Sequence, residues 1–258
     1  MTTPITRPTG APCWIELTSS DLDASIAFYR DLLGWEAERG SGEYGGYTTF
    51  SLGGRAVAGG MPVMVEDGPA DLWSVYLLSP DAAATAAAAL ERGGQVHAGP
   101  HEVPARGTML FLSDPSGAGI GAWQPGGFAG IEVADEPGAP VWFELHTRSY
   151  DRDVAFYRDV FGWELHVLAD GPGFRYTTLG RESLSAAGIM DASSWAPEAD
   201  LGWAVYFAVD DCDETCGQVA ALGGSVVTEP ETTTYGRMAT ITDSTGAVLR
   251  LMTPPAGG

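Results

Sequence analysis

Trp14-Ile-Glu-Leu at one end and Phe28-Tyr-Arg-Asp-Leu-Leu-Gly-Trp35 at the other bracket a stretch of 22 residues that this chain writes twice. The second copy runs from Trp142-Phe-Glu-Leu to Phe156-Tyr-Arg-Asp-Val-Phe-Gly-Trp163, 128 residues later throughout, with 11 of the 22 positions identical. A constant offset leaves no insertion between the copies. The period exceeds that of solenoid arrays, so the chain reads as two domains of one fold. Within the first copy, Trp14 to Thr18 alternates large apolar and polar residues, the pattern of a half-buried strand. Asp21 and Asp23 offer N-caps, Ile26, Tyr29 and Leu33 share a helical stripe, and Gly34 tolerates the positive φ of a helix end.

Working outward, short strands are expected at 35–39, 47–52 and about 55–61, with Gly45-Gly46 and Gly53-Gly54 at the turns. A second module starts at Trp73-Ser-Val-Tyr-Leu-Leu. Asp81 caps its alanine-rich helix, which stops at Gly93-Gly94, and strands follow at about 95–97, 107–113 and 118–124. The turn Asp114-Pro-Ser-Gly117 precedes the last of these. The segment 125–139 is rich in Gly and Pro and reads as the linker between domains. The second half repeats the plan, with strands at 142–147, 163–167, 175–179 and about 184–190 around a helix at about 152–161. Its last module has strands at 203–209 and 248–253, a helix over 213–222, and the turn Asp243-Ser-Thr-Gly246. The expected fold class is α+β: four tandem βαβββ modules in two domains, 1–128 and 138–258.

Composition bounds the function. At 258 residues each half is large enough for its own core. The net charge of −21 arises from 34 acids against 13 arginines, with no lysine, and such a field repels phosphate backbones. Nucleic acid is therefore not an expected partner. Cys13, Cys212 and Cys216 form no disulfide framework and read as small buried hydrophobes in a reducing compartment. The N-terminus has no apolar h-region and no run reaches membrane-spanning length, so a cytoplasmic protein without membrane contact is expected.

The helix pattern D…A..FY…LGW, the DP.G turn before a last strand, and four βαβββ modules in series together resemble the vicinal oxygen chelate superfamily. That group includes glyoxalase I, extradiol dioxygenases and bleomycin-resistance proteins. The stretches WxELxTxDxxAxxFYxxLFGW and GGxVxxxP are similar to double-domain glyoxalase-like proteins labelled "hydroxylase", some from aromatic-polyketide gene clusters. The resemblance implies that paired modules curve into half-barrels around cavities, with metal ligands on first and last strands. Counting from the Phe-Tyr and the Asp-x-x-Gly turns puts those ligand positions at Trp14, Ser74 and Gly121, and at Trp142, Ala204 and Arg250. None is a usual metal ligand: indole has no lone pair to give, glycine has no side chain, and guanidinium is cationic. No metal or other cofactor is expected.

Strand side chains two apart share a face. If the ligand positions face the cavities, Trp14, Glu16 and Thr18 line the first, and Trp142, Glu144 and His146 the second. Tyr76, Trp123, Tyr206 and Arg250 join them by the same counting, giving aromatic walls with few polar groups. Glu16 and Glu144 are candidate bases, although their repetition also suits a structural role. His146 replaces Thr18 and breaks the symmetry, so Glu144 and His146 form a candidate acid–base pair. The expected function is metal-free binding of a small aromatic or polyketide-type molecule. The alternatives are a metal-independent isomerase, dehydratase or cyclase of secondary metabolism using Glu144 and His146, and a metal-dependent lyase or dioxygenase. Four modules can complete both half-barrels within one chain, which predicts a monomer; pairing of modules across a homodimer is the other arrangement.

Overall fold

The computed structural model describes residues 7–40, 45–64, 68–181 and 186–255. The first domain is one eight-stranded sheet. Its central strands are β1 (Pro12–Ser19) and β5 (Leu72–Leu78), which pair antiparallel with Trp14 opposite Tyr76 and Glu16 opposite Ser74. On one side of β1 lie β4 (Arg55–Pro62), β3 (Thr48–Leu52) and β2 (Glu36–Arg39). On the other side of β5 lie β8 (Gly119–Pro125), β7 (Gly107–Ser113) and β6 (Gln95–Val103), in mirror order. Each module therefore begins on the central strand, crosses by a helix, and returns through a meander to lie parallel beside its start. The second domain repeats this with β9 (Pro140–Thr147), β10 (Leu165–Gly171), β11 (Phe174–Leu179), β12 (Gly188–Asp191), β13 (Gly202–Ala208), β14 (Ser225–Thr233), β15 (Gly236–Thr242) and β16 (Val248–Thr253). Its sheet order is the same, β10-β11-β12-β9-β13-β16-β15-β14.

The four helices are α1 (Leu22–Leu33), α2 (Ala82–Glu91), α3 (Tyr150–Phe161) and α4 (Cys212–Val219), the last continued by a 3-10 turn at Ala220–Leu222. Asp21 and Asp81 accept from backbone N–H groups at Ala24 and Ala84, as their cap positions predict. The buried stripe of α1 is Leu22, Ser25, Phe28, Tyr29 and Leu33; Ile26, expected on it, sits half-buried at its flank. Strand β6 is longer than the three residues expected, because it passes through register shifts around Gly99-Pro100 that mask its periodicity. For the strand expected at 184–190, β12 begins at Gly188, and residues 184 and 185 lie outside the described set.

Helices of one domain pack on those of the other, α1 against α4 and α2 against α3. The core between the two sheets holds the strand residues that alternate away from Trp14 and Glu16. Ile15, Leu17, Val75, Leu77, Leu145 and Phe207 are at most 2% exposed, and Phe207 packs on both Trp35 and Trp73 across the domain boundary. The concave faces consequently look away from each other.

The repeated sequence pattern is explained by this interface. Tyr157 Oη donates to Asp114 Oδ2 at 3.0 Å and accepts from Trp203 Nε1 at 2.9 Å. Its counterpart Tyr29 donates to Asp243 Oδ2 at 3.1 Å and accepts from Trp73 Nε1 at 3.2 Å. The other oxygen of each aspartate closes its own turn, accepting from the backbone at Ser116 and Ala118, or at Thr245 and Ala247. The Asp-x-x-Gly turn of one domain thus holds the Phe-Tyr helix of the other. The Gly-Gly pairs have a divided role. Gly93 and Gly223 end helices at φ of 83° and 90°, while a Cβ on Gly94 or Gly224 would lie 2.9 Å from Phe156 or Phe28 of the opposite domain.

The segment expected to be a linker is packed rather than loose. Ile131 and Val133 are 3% and 1% exposed, and Ile131 N–H donates to Cys13 O at 2.8 Å. Its Gly and Pro content conceals three apolar side chains, Phe128, Ile131 and Val133, that seal the first domain.

Candidate functional site

The concave face of the first domain encloses a cavity of about 440 Å³, within the range of small-molecule sites. Trp14 and Glu16 project into it from β1, Tyr76 from β5 and Trp123 from β8, as strand alternation requires. Tyr47, Thr49, Met61, Val103, Arg106, Met109 and Phe128 complete most of the wall. The polar groups cluster around one carboxyl: Trp14 Nε1 donates to Tyr47 Oη at 2.8 Å, Tyr76 Oη donates to Glu16 Oε1 at 3.2 Å, and the Tyr47 hydroxyl faces Glu16. Room for the Tyr47 hydroxyl exists because Gly59 stands opposite Glu16; a Cβ there would lie 1.9 Å from it. Burial pushes the Glu16 carboxyl above its ordinary range, against the opposing effect of the two tyrosine hydrogen bonds. Both phenols are driven well above the usual tyrosine value, first by burial and then by the nearby carboxylate.

The second domain carries the same set. Trp142 Nε1 donates to Tyr176 Oη at 3.0 Å, and Tyr176 donates to Glu144 Oε2. Tyr206 Oη donates to Oε1 at 3.1 Å. Gly188, opposite Glu144, leaves space for the Tyr176 hydroxyl. What differs is the filling. His146, in the place of Thr18, lies 2.7 Å from Glu144 Oε1 through Nε2. Arg250 Nη2 approaches His146 Nδ1 at 3.4 Å; since guanidinium only donates, Nδ1 accepts and the Nε2–H points at Glu144. The Trp195 ring covers the imidazole at 4.7 Å, and the side chains of His146 and Glu144 are only 2% and 10% exposed. Burial raises the Glu144 carboxyl, but the hydrogen bond and electrostatic attraction of His146, with the hydrogen bonds from Tyr176 and Tyr206, outweigh it and hold the group below its ordinary range. The two glutamates, alike in sequence, are thus opposite in state: Glu16 half-buried on an open cavity, Glu144 saturated in a closed network.

The expected ligand positions can be tested for a divalent ion. Trp14 and Trp142 commit their only polar hydrogen to tyrosines and have no lone pair to offer. A Cβ at Gly121 would lie 2.1 Å from the Tyr76 ring, so the phenol occupies the space an acidic side chain would need. Ala204 contributes a methyl group and Arg250 a cation. Among the described residues no three His, Cys, Asp or Glu side chains converge. The donor set does not fit a metal of the glyoxalase type.

Of the sequence-derived site residues, Trp14, Glu16, Tyr76 and Trp123 meet in the first cavity. Trp142, Glu144, His146, Tyr206 and Arg250 meet in the second network. The sequence reading omitted Tyr47 and Tyr176, because one added residue shifts the offset from 128 and aligns Tyr47 with Arg175. It also omitted Phe128, hidden in the presumed linker, and Trp195 and Arg106, which lie in turns without periodicity. His97 pairs with Ser113 at 3.0 Å on β6, apart from either site. Cys13, Cys212 and Cys216 are buried free thiols. No helix among the described residues is long and apolar enough to cross a membrane.

Comparison with known proteins agrees with this architecture. The description of the Glyoxalase/Bleomycin resistance protein/Dioxygenase superfamily matches residues 13–121 and 139–251, one match per domain. CFP32 of Mycobacterium tuberculosis (strain CDC 1551 / Oshkosh), a candidate glyoxylase, is 33% identical over 250 residues, covering 95% of each chain. The anthracycline biosynthesis protein DauV of Streptomyces sp. (strain C5) is 34% identical over 267 residues, covering 92% of this chain and 91% of that protein. Among solved structures, the Mn(II)-bound glyoxalase of Novosphingobium aromaticivorans shares the fold with a TM-score of 0.66 at 18% identity, covering 96% of this chain and 83% of that one. The 2,3-dioxygenase LapB of Pseudomonas sp. KL28 does so at 0.62 and 14%, covering 100% and 96%. Matched along both halves and over nearly its full length, this chain belongs to the Glyoxalase/Bleomycin resistance protein/Dioxygenase superfamily.

Proposed function

We propose that this protein binds one small, flat aromatic or polyketide-type molecule per chain, in the first-domain cavity, without a metal ion. The observation that carries the reading is the cavity of about 440 Å³ walled by Trp14, Tyr47, Tyr76, Trp123 and Phe128 around one carboxylate. Rigid aromatic walls give a planar ligand large contact area at little entropic cost, and the Glu16 cluster fixes its orientation. The likeness to DauV, an anthracycline biosynthesis protein, supports a polyketide-type ligand. The protein acts as a monomer, because each sheet is completed by modules of the same chain.

A second reading, metal-independent catalysis in secondary metabolism, is favoured by one observation: Glu16 is a carboxyl raised by burial and open to a bound ligand. On that reading the acid–base group is Glu16. Glu144 and His146 are enclosed by Trp195 and Arg250, and reach a substrate only if that cover moves. A metal-dependent lyase or dioxygenase is disfavoured by the donor chemistry at the ligand positions.

Tryptophan fluorescence tests the binding reading. Titration of metal-analysed protein with planar hydroxyanthraquinones quenches emission from Trp14 and Trp123, and the quench shrinks in Trp123→Phe. Absence of quenching across a panel of planar polyketides would refute it. Turnover of a bound compound that is lost in Glu16→Gln, with binding retained, would establish the second reading instead.

A further inference from the structure

Among the described residues Arg106 is the one cation on the cavity wall, in a chain whose net charge is −21. It sits in the turn between β6 and β7, where Ala105 adopts a φ of 59°. Two backbone N–H groups from the segment after β8 clamp it: Gly126 and Phe128 both donate to Arg106 O, at 2.8 and 3.1 Å. The same segment delivers the Phe128 ring, which packs edge-on against Trp14 at 4.9 Å and against Trp123 at 6.3 Å. The guanidinium lies 5.4 Å from the centre of that ring. Among the described residues it has no carboxylate partner.

The polar groups of the cavity are therefore separated by sign. Glu16 is on the central strand, at the floor; Arg106 is at the edge of the sheet, on the mouth, with aromatic surface between. The second domain lacks this arrangement: the turn before β15 carries Tyr235 in the corresponding place, 56% exposed. A cation held over an aromatic wall, with no carboxylate beside it among the described residues, is a recognition element for anionic oxygen.

We propose that Arg106 makes the first-domain cavity selective for aromatic acids: the ring system lies among Trp14, Trp123 and Phe128, and its anionic oxygen pairs with the guanidinium at the mouth. The proposal rests on the reading of that cavity as a ligand site. It names the ligand's charge and orientation, with the acidic edge outward at Arg106 and the opposite, uncharged edge toward the Glu16 cluster. It also assigns the segment after β8 a role in recognition, since that segment fixes both Phe128 and the Arg106 backbone.

The test uses anthraquinone-2-carboxylate and its methyl ester as probes, followed by tryptophan quenching at low ionic strength on the full chain. The wild type binds the acid about tenfold more tightly than the ester, the effect of one charge-assisted contact at a partly wet site. Arg106→Gln removes that preference, weakening the acid about tenfold more than the ester, and Arg106→Lys restores part of it. Added salt weakens acid binding and not ester binding. Equal affinity for acid and ester in the wild type would overturn the proposal while leaving the cavity reading intact. So would a preference that survives Arg106→Gln. If neither probe quenches the wild type, the proposal and the cavity reading fall together.

Discussion

Asp153 stands in α3 where the first copy of the repeat has Ser25, and it is fully buried beside Asp114 of the other domain. Thr147 donates to its Oδ2, but Oδ1 has no hydrogen-bond partner. Burial, and then repulsion from Asp114, raise its carboxyl from 3.8 to about 6. The sign follows from proton linkage: between these values the folded state holds a proton that the unfolded chain has released, so stability falls as pH rises through 4 to 6. The full difference is about 3 kcal/mol, and about 1.5 kcal/mol of it is lost between pH 5 and 7.5. Relaxation of the surrounding groups around the charge reduces that to about 0.7 kcal/mol. Asp153→Asn keeps the shape and removes the charge. Urea denaturation at pH 5 and pH 7.5 should show the variant gaining about 0.7 kcal/mol on the wild type over that interval. A stability difference that is the same at both pH values would refute the reasoning, showing that the Thr147 hydrogen bond, not the proton, governs the site.

Three further outcomes follow from the geometry. Tyr157→Phe strips the hydroxyl that joins Asp114 and Trp203, leaving the buried Asp114 Oδ2 and the half-buried indole N–H without that partner; denaturation should show a loss of about 1–3 kcal/mol. Gly94→Ala drives a methyl group to 2.6 Å from Ser113 O and 2.9 Å from Phe156, so thermal denaturation should report a loss of about 1–3 kcal/mol, whereas Gly117→Ala, with open space but a φ of 97°, reports only local strain. In the second domain, His146→Thr combined with Trp195→Ala removes the filling from a site that otherwise repeats the first. Titration with a planar aromatic should then find two ligands per chain; a value unchanged at one would show that the second concave face is closed by more than these residues.

The fold was legible because duplication exposes it. Two copies of one helix and one Asp-x-x-Gly turn fix the module, and alternation on β1 correctly divides Trp14 and Glu16 from Ile15 and Leu17. The purpose of the repeated residues was not legible, since Tyr29 and Asp243, like Phe28 and Gly224, are far apart in sequence and meet only when the two domains dock. The candidate site was half legible. Strand periodicity finds Trp14, Glu16, Tyr76 and Trp123, but Tyr47 follows a glycine turn, and Arg106 and Phe128 lie in segments whose Gly and Pro content hides their role. Nor does sequence show that His146 fills one concave face while Thr18, expected on the wall of the other, does not line its cavity. That difference depends on a tryptophan from a distant turn.

The most direct test of the account is isothermal titration of the purified chain with a planar polyketide, with metal content measured before and after treatment with a chelator. The account predicts one ligand per chain and an affinity unchanged by the chelator, with binding weakened in Tyr76→Ala, which removes a wall of the first cavity. Binding that appears only when a divalent metal is supplied, or that persists undiminished in Tyr76→Ala, would contradict it.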